Sequence, residues 1–100
     1  AGKVNCVYNN ILQDLNLNSA SVLLIAGEVV HAAQGGVCAS MNTIIDDLPK
    51  TIPTAHIVSS KGCSAWKDHL HFDAAGYREF GERYAATMLP LLGYKMNGQK

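Results

Sequence analysis

The chain has 100 residues, enough for one small domain that buries roughly two-thirds of the surface its unfolded form would expose. Its 48% apolar and 16% charged residues are typical of a globular protein, and eight basic residues balance eight acidic ones. There is no basic stripe, and the longest apolar stretch, residues 22–26, is far too short to span a bilayer. Neither nucleic acid nor a membrane is therefore predicted as a partner.

The first 38 residues predict a helix, a strand and a loop. Apolar residues recur at helical spacing over residues 3–15, which indicates an amphipathic helix. Residues 22–26 are continuously apolar, as in a strand that is covered on both faces of a parallel sheet. A loop over residues 28–38 follows, rich in small side chains and containing Gly35 and Gly36.

The rest of the chain predicts two further helices around a second strand. Ser40 is a candidate N-cap for the first of them. The apolar face of that helix is predicted to consist of Met41, Ile44, Ile45 and Leu48. Pro49 and Pro53 are expected to end it, and residues 55–58 form the next strand. After a polar loop over residues 59–72, Asp73 can cap a helix from residue 74 to about residue 89, with Pro90 at its end.

This order of elements predicts an α/β domain with a parallel sheet flanked by helices. The carboxyl ends of parallel strands meet at one edge of the sheet, and ligands bind there in such folds. Loops 28–38 and 59–72 should therefore share this edge, and they hold most of the polar residues of chemical interest.

The strongest chemical signal is the pattern from Asp68 to His71, an Asp-x-x-His just before the last helix. A histidine that accepts a proton from a nucleophile needs a carboxylate on its other ring nitrogen, which sets the tautomer and stabilises the imidazolium. Three residues of separation on a tight loop bring the two side chains together. Taken alone the pattern is weak, since a surface aspartate and a packed histidine also produce it. A metal site built on His69 and His71 is a further alternative, although zinc requires three or four ligands.

The stretch over residues 68–85, DHLHFDAAGYREFGERYA, resembles the last characteristic block of the SGNH-hydrolase superfamily. The closer similarity is to carbohydrate esterase family 6, the acetylxylan esterases, and to the sialate O-acetylesterases. The segments LLIAGE and HIVSSKG, residues 23–28 and 56–62, resemble two strands of that family with the loops that follow them. The resemblance covers nearly the whole chain. It implies a flavodoxin-like three-layer fold, with residues 1–100 as the C-terminal part of a single domain.

The resemblance also implies hydrolysis of acetyl esters on a polysaccharide through an acyl-enzyme, without a cofactor. His71 matches the family's catalytic base and Asp68 the acid that orients it. No segment matches the Gly-x-Ser nucleophile element or the later oxyanion-hole block, and Ser59, Ser60 and Ser64 do not lie on a strand-to-helix elbow. We therefore expect a companion polypeptide with the N-terminal part of the domain. Acetylated xylan is the implied substrate, with sialic-acid acetyl esters second, and the alternative is a non-catalytic carbohydrate-binding or interaction fragment.

Four more residues are candidate substrate-binding groups at the predicted active edge. Glu28 ends the first strand, and Gln34 and Asn42 lie on the same edge. Trp66 precedes Asp68 by two residues, and an indole can stack on the apolar face of a sugar. Structural roles are the alternative for each: Glu28 can cap a turn, and Trp66 can pack its own loop against the domain.

Three cysteines are present, and they form no CxxC motif. Cys38 and Cys63 fall on neighbouring loops at one sheet edge, which is within reach of a disulfide. A Cys38–Cys63 bridge is therefore predicted, and it suits a secreted protein that acts on a polysaccharide. Cys6 lies between apolar residues of the first helix and is expected to be buried and free.

Overall fold

The computed structural model describes residues 1–95, in which helices and strands alternate along the chain. In this part the helices are α1 (Gly2–Asp14), α2 (Met41–Asp46), α3 (Leu48–Thr51) and α4 (Ala74–Leu91), and the strands are β1 (Leu24–Gly27) and β2 (Ala55–Val58). Short 3₁₀ turns occupy Ser19–Ser21 and Ala32–Gln34. None of these helices has the length and apolar character needed to cross a membrane.

The two strands run parallel, as predicted. Leu24 lies opposite Ala55, and Gly27 lies opposite Val58. Just beyond them the Glu28 amide donates a hydrogen bond to the Val58 carbonyl at 3.0 Å, which extends the ladder by one step. The loops that follow β1 and β2 therefore leave from the same edge of the sheet.

Helices cover both faces of the sheet. One core cluster joins α1, α3 and the start of β2; it consists of Tyr8, Leu12, Leu48, Ile52 and Ala55. A second cluster joins the end of β2 to α4; it consists of Val58, Cys63 and Phe80. In β1, Leu24 packs on the first cluster and Ile25 on the second. Because successive side chains of a strand point to opposite faces, the two clusters lie on opposite sides of the sheet, and the predicted three-layer α/β arrangement is confirmed.

Helix α1 has nearly the predicted extent, Gly2–Asp14 in place of residues 3–15. Its buried residues are Tyr8 and Leu12, whereas Cys6, which was expected to be buried, is exposed. The Tyr8 hydroxyl donates to the Val22 carbonyl and lies 3.1 Å from Oγ1 of Thr54. This polar contact fixes the rotation of α1 about its axis, because a buried phenol requires a hydrogen-bond partner.

The predicted apolar face of α2 is also only partly right. Met41 and Ile44 are 47% and 48% exposed, and Asn42 is the buried residue of this helix. The Asn42 amide pairs with both backbone groups of Val29: its Oδ1 accepts from the amide at 2.8 Å and its Nδ2 donates to the carbonyl at 3.0 Å. These two hydrogen bonds offset the cost of removing the amide from water, so Asn42 can take the inward position.

Two prolines that were expected to end helices lie within them. Pro49 is in the first turn of α3, where a backbone N–H has no partner inside the helix, so its absence costs nothing. Pro90 is in the last turn of α4, so its missing N–H removes a single bond. Beyond it the Leu92 amide still donates to the Met88 carbonyl at 3.1 Å.

The three cysteines are free thiols, so the predicted Cys38–Cys63 bridge is not formed in the structure. Cys63 is 1% exposed and packs with Val58 and Phe80 in the second cluster, while Cys38 stays half-buried at the loop surface. Burial raises the pKa of the Cys63 thiol. Both cysteines do lie on loops of one sheet edge, but the side chain of Cys63 is taken up by the core.

Candidate active site

The loop between β2 and α4 folds back on itself and presents its tip to solvent. The Asp73 amide donates to the Ser64 carbonyl at 3.1 Å, and the Trp66 amide donates to the His71 carbonyl at 2.8 Å. Between these two bonds Ala65 pairs with Phe72 as an antiparallel bridge. Residues 67–70 therefore form a tight turn closed by backbone bonds.

Asp68 and His71 meet at this turn. His71 Nδ1 lies 2.6 Å from Asp68 Oδ2, and Asp68 Oδ1 accepts from the Leu70 and His71 amides at 3.0 and 3.1 Å. The contact arises as the spacing predicted, because an aspartate that accepts from amides two and three residues ahead closes the turn on itself.

The hydrogen bond from His71, followed by the two amide bonds, lowers the pKa of Asp68 to about 2. The carboxylate is therefore charged at neutral pH. A charged acceptor on Nδ1 places the ring proton there and leaves Nε2 with its lone pair. The His71 side chain is 63% exposed, so this nitrogen is accessible to a reacting group.

Two serines close to the turn have their hydroxyls engaged elsewhere. Ser60 is fully buried, and its Oγ donates to the Val29 carbonyl at 2.6 Å. Ser64 Oγ donates to Asp73 Oδ1 at 2.6 Å. Neither hydroxyl is presented to His71 as a nucleophile would be.

The start of α4 anchors the second end of the loop. Asp73 is the N-cap, as predicted: its Oδ1 accepts from the Gly76 amide at 2.7 Å as well as from Ser64. A Cβ atom on Gly76 would lie 2.1 Å from the Ser64 carbonyl oxygen. The loop and the helix therefore lie so close together that only glycine fits at position 76.

Glu28, a predicted substrate-binding residue, is buried and bonded within the protein. Its Oε1 accepts from the Ser60 amide at 2.9 Å and contacts His31 Nε2 at 2.8 Å. Burial acts to raise the pKa of Glu28, but the hydrogen bonds of His31, Ser60 and neighbouring side chains outweigh it and hold the pKa below its ordinary value. The carboxylate ties the end of β1 to the residues that follow β2.

The other predicted substrate-binding residues divide into two groups. Asn42 is taken up by the Val29 backbone, and Gln34 Oε1 accepts from the Gly62 amide at 3.1 Å, so both hold loops together. Trp66 is 50% exposed, with Lys67 Nζ 5.0 Å from its ring centroid. Of the four, Trp66 is the exposed one, and its backbone amide bonds to the His71 carbonyl in the dyad loop.

Arg83 of α4 holds the loop that follows β2 in place. Its Nη1 donates to the carbonyls of Ser59 and Lys61 at 2.9 and 2.7 Å, and its Nε contacts Glu79 at 3.1 Å. The spacing of Glu79 and Arg83, one helical turn apart, is the sequence signal that this guanidinium is held in place.

Two other features lie apart from the dyad. His69 Nδ1 faces Gly35 rather than His71, and within residues 1–95 no three His, Cys, Asp or Glu side chains gather as metal ligands would. A cleft of about 260 Å³ opens at the amino ends of the strands, the opposite end from the dyad. It is lined by Asn5, Tyr8, Asn9, Ser19, Thr51, Ile52, Pro53 and Thr54.

A parallel sheet with helices on both faces, and an Asp–His pair on the loop that follows β2, are compatible with a fragment of an SGNH-like hydrolase fold. The sequence model of the SASA family, described as carbohydrate esterase, sialic acid-specific acetylesterase, matches residues 1–90. The chain belongs to this family of carbohydrate esterases, and the predicted resemblance is confirmed. No solved structure matches the chain significantly.

Proposed function

We propose that this chain supplies the base and the orienting acid of a serine-type carbohydrate O-acetylesterase. The observation that carries the proposal is the 2.6 Å contact between His71 Nδ1 and an Asp68 carboxylate whose other oxygen is fixed by two amides. That geometry leaves Nε2 of His71 open to a reacting group.

The reaction runs in two steps. In the first step the serine oxygen attacks the acetyl carbonyl carbon while Nε2 of His71 takes the proton of the serine hydroxyl. The imidazolium then gives this proton to the sugar oxygen as the bond between that oxygen and the acetyl carbon breaks. The acetyl group is now an ester of the serine. A water molecule then gives a proton to the same nitrogen as its oxygen attacks that ester carbon. The bond to the serine oxygen breaks, and the imidazolium returns the proton to that oxygen, so acetic acid, which ionises to acetate, and the free serine are the products. Asp68 stays ionised throughout and stabilises the imidazolium.

The nucleophile comes, in this proposal, from an N-terminal part of the same domain outside these 100 residues. The engaged hydroxyls of Ser60 and Ser64 support this. The Gly-x-Ser at residues 62–64 lies in the loop after β2 and not on a strand-to-helix elbow, so it does not present Ser64 as a nucleophile. That part would also bring the oxyanion-hole donors, which stabilise the charge on the carbonyl oxygen.

The substrate is an acetylated saccharide. The half-exposed indole of Trp66 beside the dyad suits the apolar face of a sugar ring. Acetylated xylan is our first choice because of the similarity to acetylxylan esterases, and an acetylated sialic acid, named in the description of the matching family, is the second. Action on such a polymer is consistent with a secreted protein, which stays a prediction.

The test uses the esterase assembled from this chain and the N-terminal part with the serine. Acetate release is measured from acetylated xylo-oligosaccharides and from O-acetylated sialic acid. We expect turnover of one class, and a loss on the order of 10²–10⁴-fold in kcat for His71→Ala. Wild-type protein that is inactive on both, or a His71→Ala variant with near-normal turnover, would refute the proposal.

A further inference from the structure

His69 stands between the two dyad residues with an unusual backbone conformation. Its φ is +56°, in the left-handed region that is uncommon for residues other than glycine and that asparagine, aspartate and histidine adopt more often than the rest. This conformation reverses the chain after Asp68. The reversal aims the Leu70 and His71 amides at the Asp68 carboxylate and brings the His71 ring alongside it.

A short segment of the other loop presses against this turn. We call residues 34–37, Gln34 to Val37, the brace. The Val37 amide donates to the His69 carbonyl at 3.1 Å, and Gln34 Oε1 accepts from the Gly62 amide at 3.1 Å. The brace thus contacts the catalytic loop both at its tip and near its base.

Close packing leaves little freedom at the tip. A Cβ atom on Gly35 would lie 2.7 Å from Nδ1 of the His69 ring, so the imidazole rests directly on the Gly35 backbone. Gly35 itself has φ +79°, which places the brace backbone beneath the ring without a side chain in between.

The brace is in turn fixed to the sheet edge. The Gly36 amide donates to the His31 carbonyl at 2.9 Å, and a Cβ atom on Gly36 would meet the Val30 carbonyl oxygen at 2.0 Å. His31 contacts the buried Glu28 at the end of β1. A continuous set of contacts therefore runs from β1 through the brace to the turn that carries the dyad.

We propose that the brace positions the dyad by holding His69 in its left-handed conformation, and that Gln34 and His69 are positioning residues that touch neither substrate nor reacting atoms. His69 acts through its backbone, whose conformation turns the chain and whose carbonyl accepts from the Val37 amide, and Gln34 acts through Gly62. This inference rests on the proposed function for its kinetic consequence, but the geometry of the turn can be measured without any activity.

The first experiment compares three variants at position 69 in the assembled esterase. Glycine and asparagine accept a left-handed φ, whereas a β-branched residue does not. His69→Gly and His69→Asn should keep a kcat within a few-fold of the wild type, and His69→Val should lose roughly tenfold to a hundredfold in kcat at unchanged KM. Equal losses in all three variants would show that the imidazole itself is needed. Full activity in all three would show that the left-handed conformation is not needed. Either result would overturn the inference.

The second experiment reads the turn directly, through the carboxyl carbon of Asp68 in an NMR pH titration. The Asp68 pKa should be about 2 in the wild type and in His69→Gly, and should rise toward the ordinary value of 3.8 in His69→Val as its three hydrogen bonds loosen. An unchanged Asp68 pKa in a folded His69→Val chain overturns the inference even if the protein proves not to be an esterase.

A matched pair at Gln34 covers the case in which His69→Val does not fold. Gln34→Glu keeps an acceptor oxygen for the Gly62 amide, and Gln34→Leu removes it at similar size. We expect the Asp68 pKa and kcat to be preserved in Gln34→Glu and changed in Gln34→Leu, in the directions given for His69→Val. Equal behaviour of the two Gln34 variants would contradict the role of this contact.

Discussion

Asp68 is an exposed carboxylate whose charge is nevertheless fixed by three N–H groups, one from the His71 ring and two from the backbone. Because its folded pKa of about 2 lies below the ordinary 3.8, the stabilisation from the charged form is present above pH 3.8 and is lost as the pH falls toward 2. Any loss of activity on lowering the pH to 3.8 should therefore come from a group other than Asp68, and a pH profile of kcat measures this.

Asp68→Asn tests the orienting role at the same scale. The neutral amide can donate to Nδ1 and so favours the wrong ring tautomer, which should lower kcat on the order of 10²–10⁴-fold with little change in KM. Asp47→Asn is the matched control, since Asp47 is an exposed carboxylate paired with Lys50 at 3.0 Å, away from the dyad loop. Steady-state kinetics of both variants decide the matter, and comparable turnover in the two would exclude a role for Asp68.

Helix α4 is the element that anchors the loop with the Asp68–His71 pair. Its N-cap holds the loop at Ser64, and Phe80 packs between Phe72 of the loop and Tyr84 one turn further along, with ring centroids 5.0 Å apart in each pair. Such aromatic pairs contribute about 0.5–1.5 kcal/mol beyond their buried area. A change in the packing of α4 should therefore also change the conformation of the loop that holds Asp68 and His71.

Two glycines in α4 give opposite predictions for the same substitution. A Cβ atom on Gly81 meets nothing within 4 Å, so Gly81→Ala should gain roughly 0.5–1 kcal/mol in the free energy of unfolding from helix propensity. Gly76→Ala forces a contact of 2.1 Å with the Ser64 carbonyl and should lose about 1–3 kcal/mol. Urea unfolding followed by circular dichroism measures both. Stabilisation by Gly76→Ala would mean that the loop does not press on α4.

At the scale of the whole molecule, several surfaces suit a further part of the domain. Within residues 1–95 β1 and β2 pair with each other alone, which leaves two strand edges available. Helix α1 also carries an exposed apolar stripe at helical spacing. It consists of Val4, Val7, Ile11 and Leu15, which are 41–64% exposed. Contiguous exposed apolar residues often mark an interface, and the proposed N-terminal part with the serine is the partner that we expect there.

Residues 1–100 alone should accordingly show no acetylesterase activity, because a base and its orienting acid have no hydroxyl to activate. Adding the N-terminal part with its Gly-x-Ser element should restore acetate release, and adding the same part with the serine changed to alanine should not. Fluorogenic acetyl-ester turnover gives the measurement. An active, cooperatively folded monomer of residues 1–100 would contradict the two-part arrangement.

Local sequence patterns were sufficient to predict several features of this structure. The extents of α1 and β2, the Asp73 cap and the approach of His71 to Asp68 all depend on groups within a few residues of one another. Helical spacing, an N-cap and a turn-closing aspartate are visible in sequence because their partners are close along the chain.

The tertiary structure alone decided which side chains face inwards. The rotation of α1 follows from the bond of Tyr8 to Val22, and the burial of Glu28 follows from its bond to Ser60, 32 residues away. Cys63 packs against Phe80 in the core, and the brace contacts His69 of the neighbouring loop at the sheet edge. These contacts join segments that are far apart in sequence, so the partners become known only when the sheet brings the loops together. No local sequence pattern indicates which polar group will form a hydrogen bond with which partner.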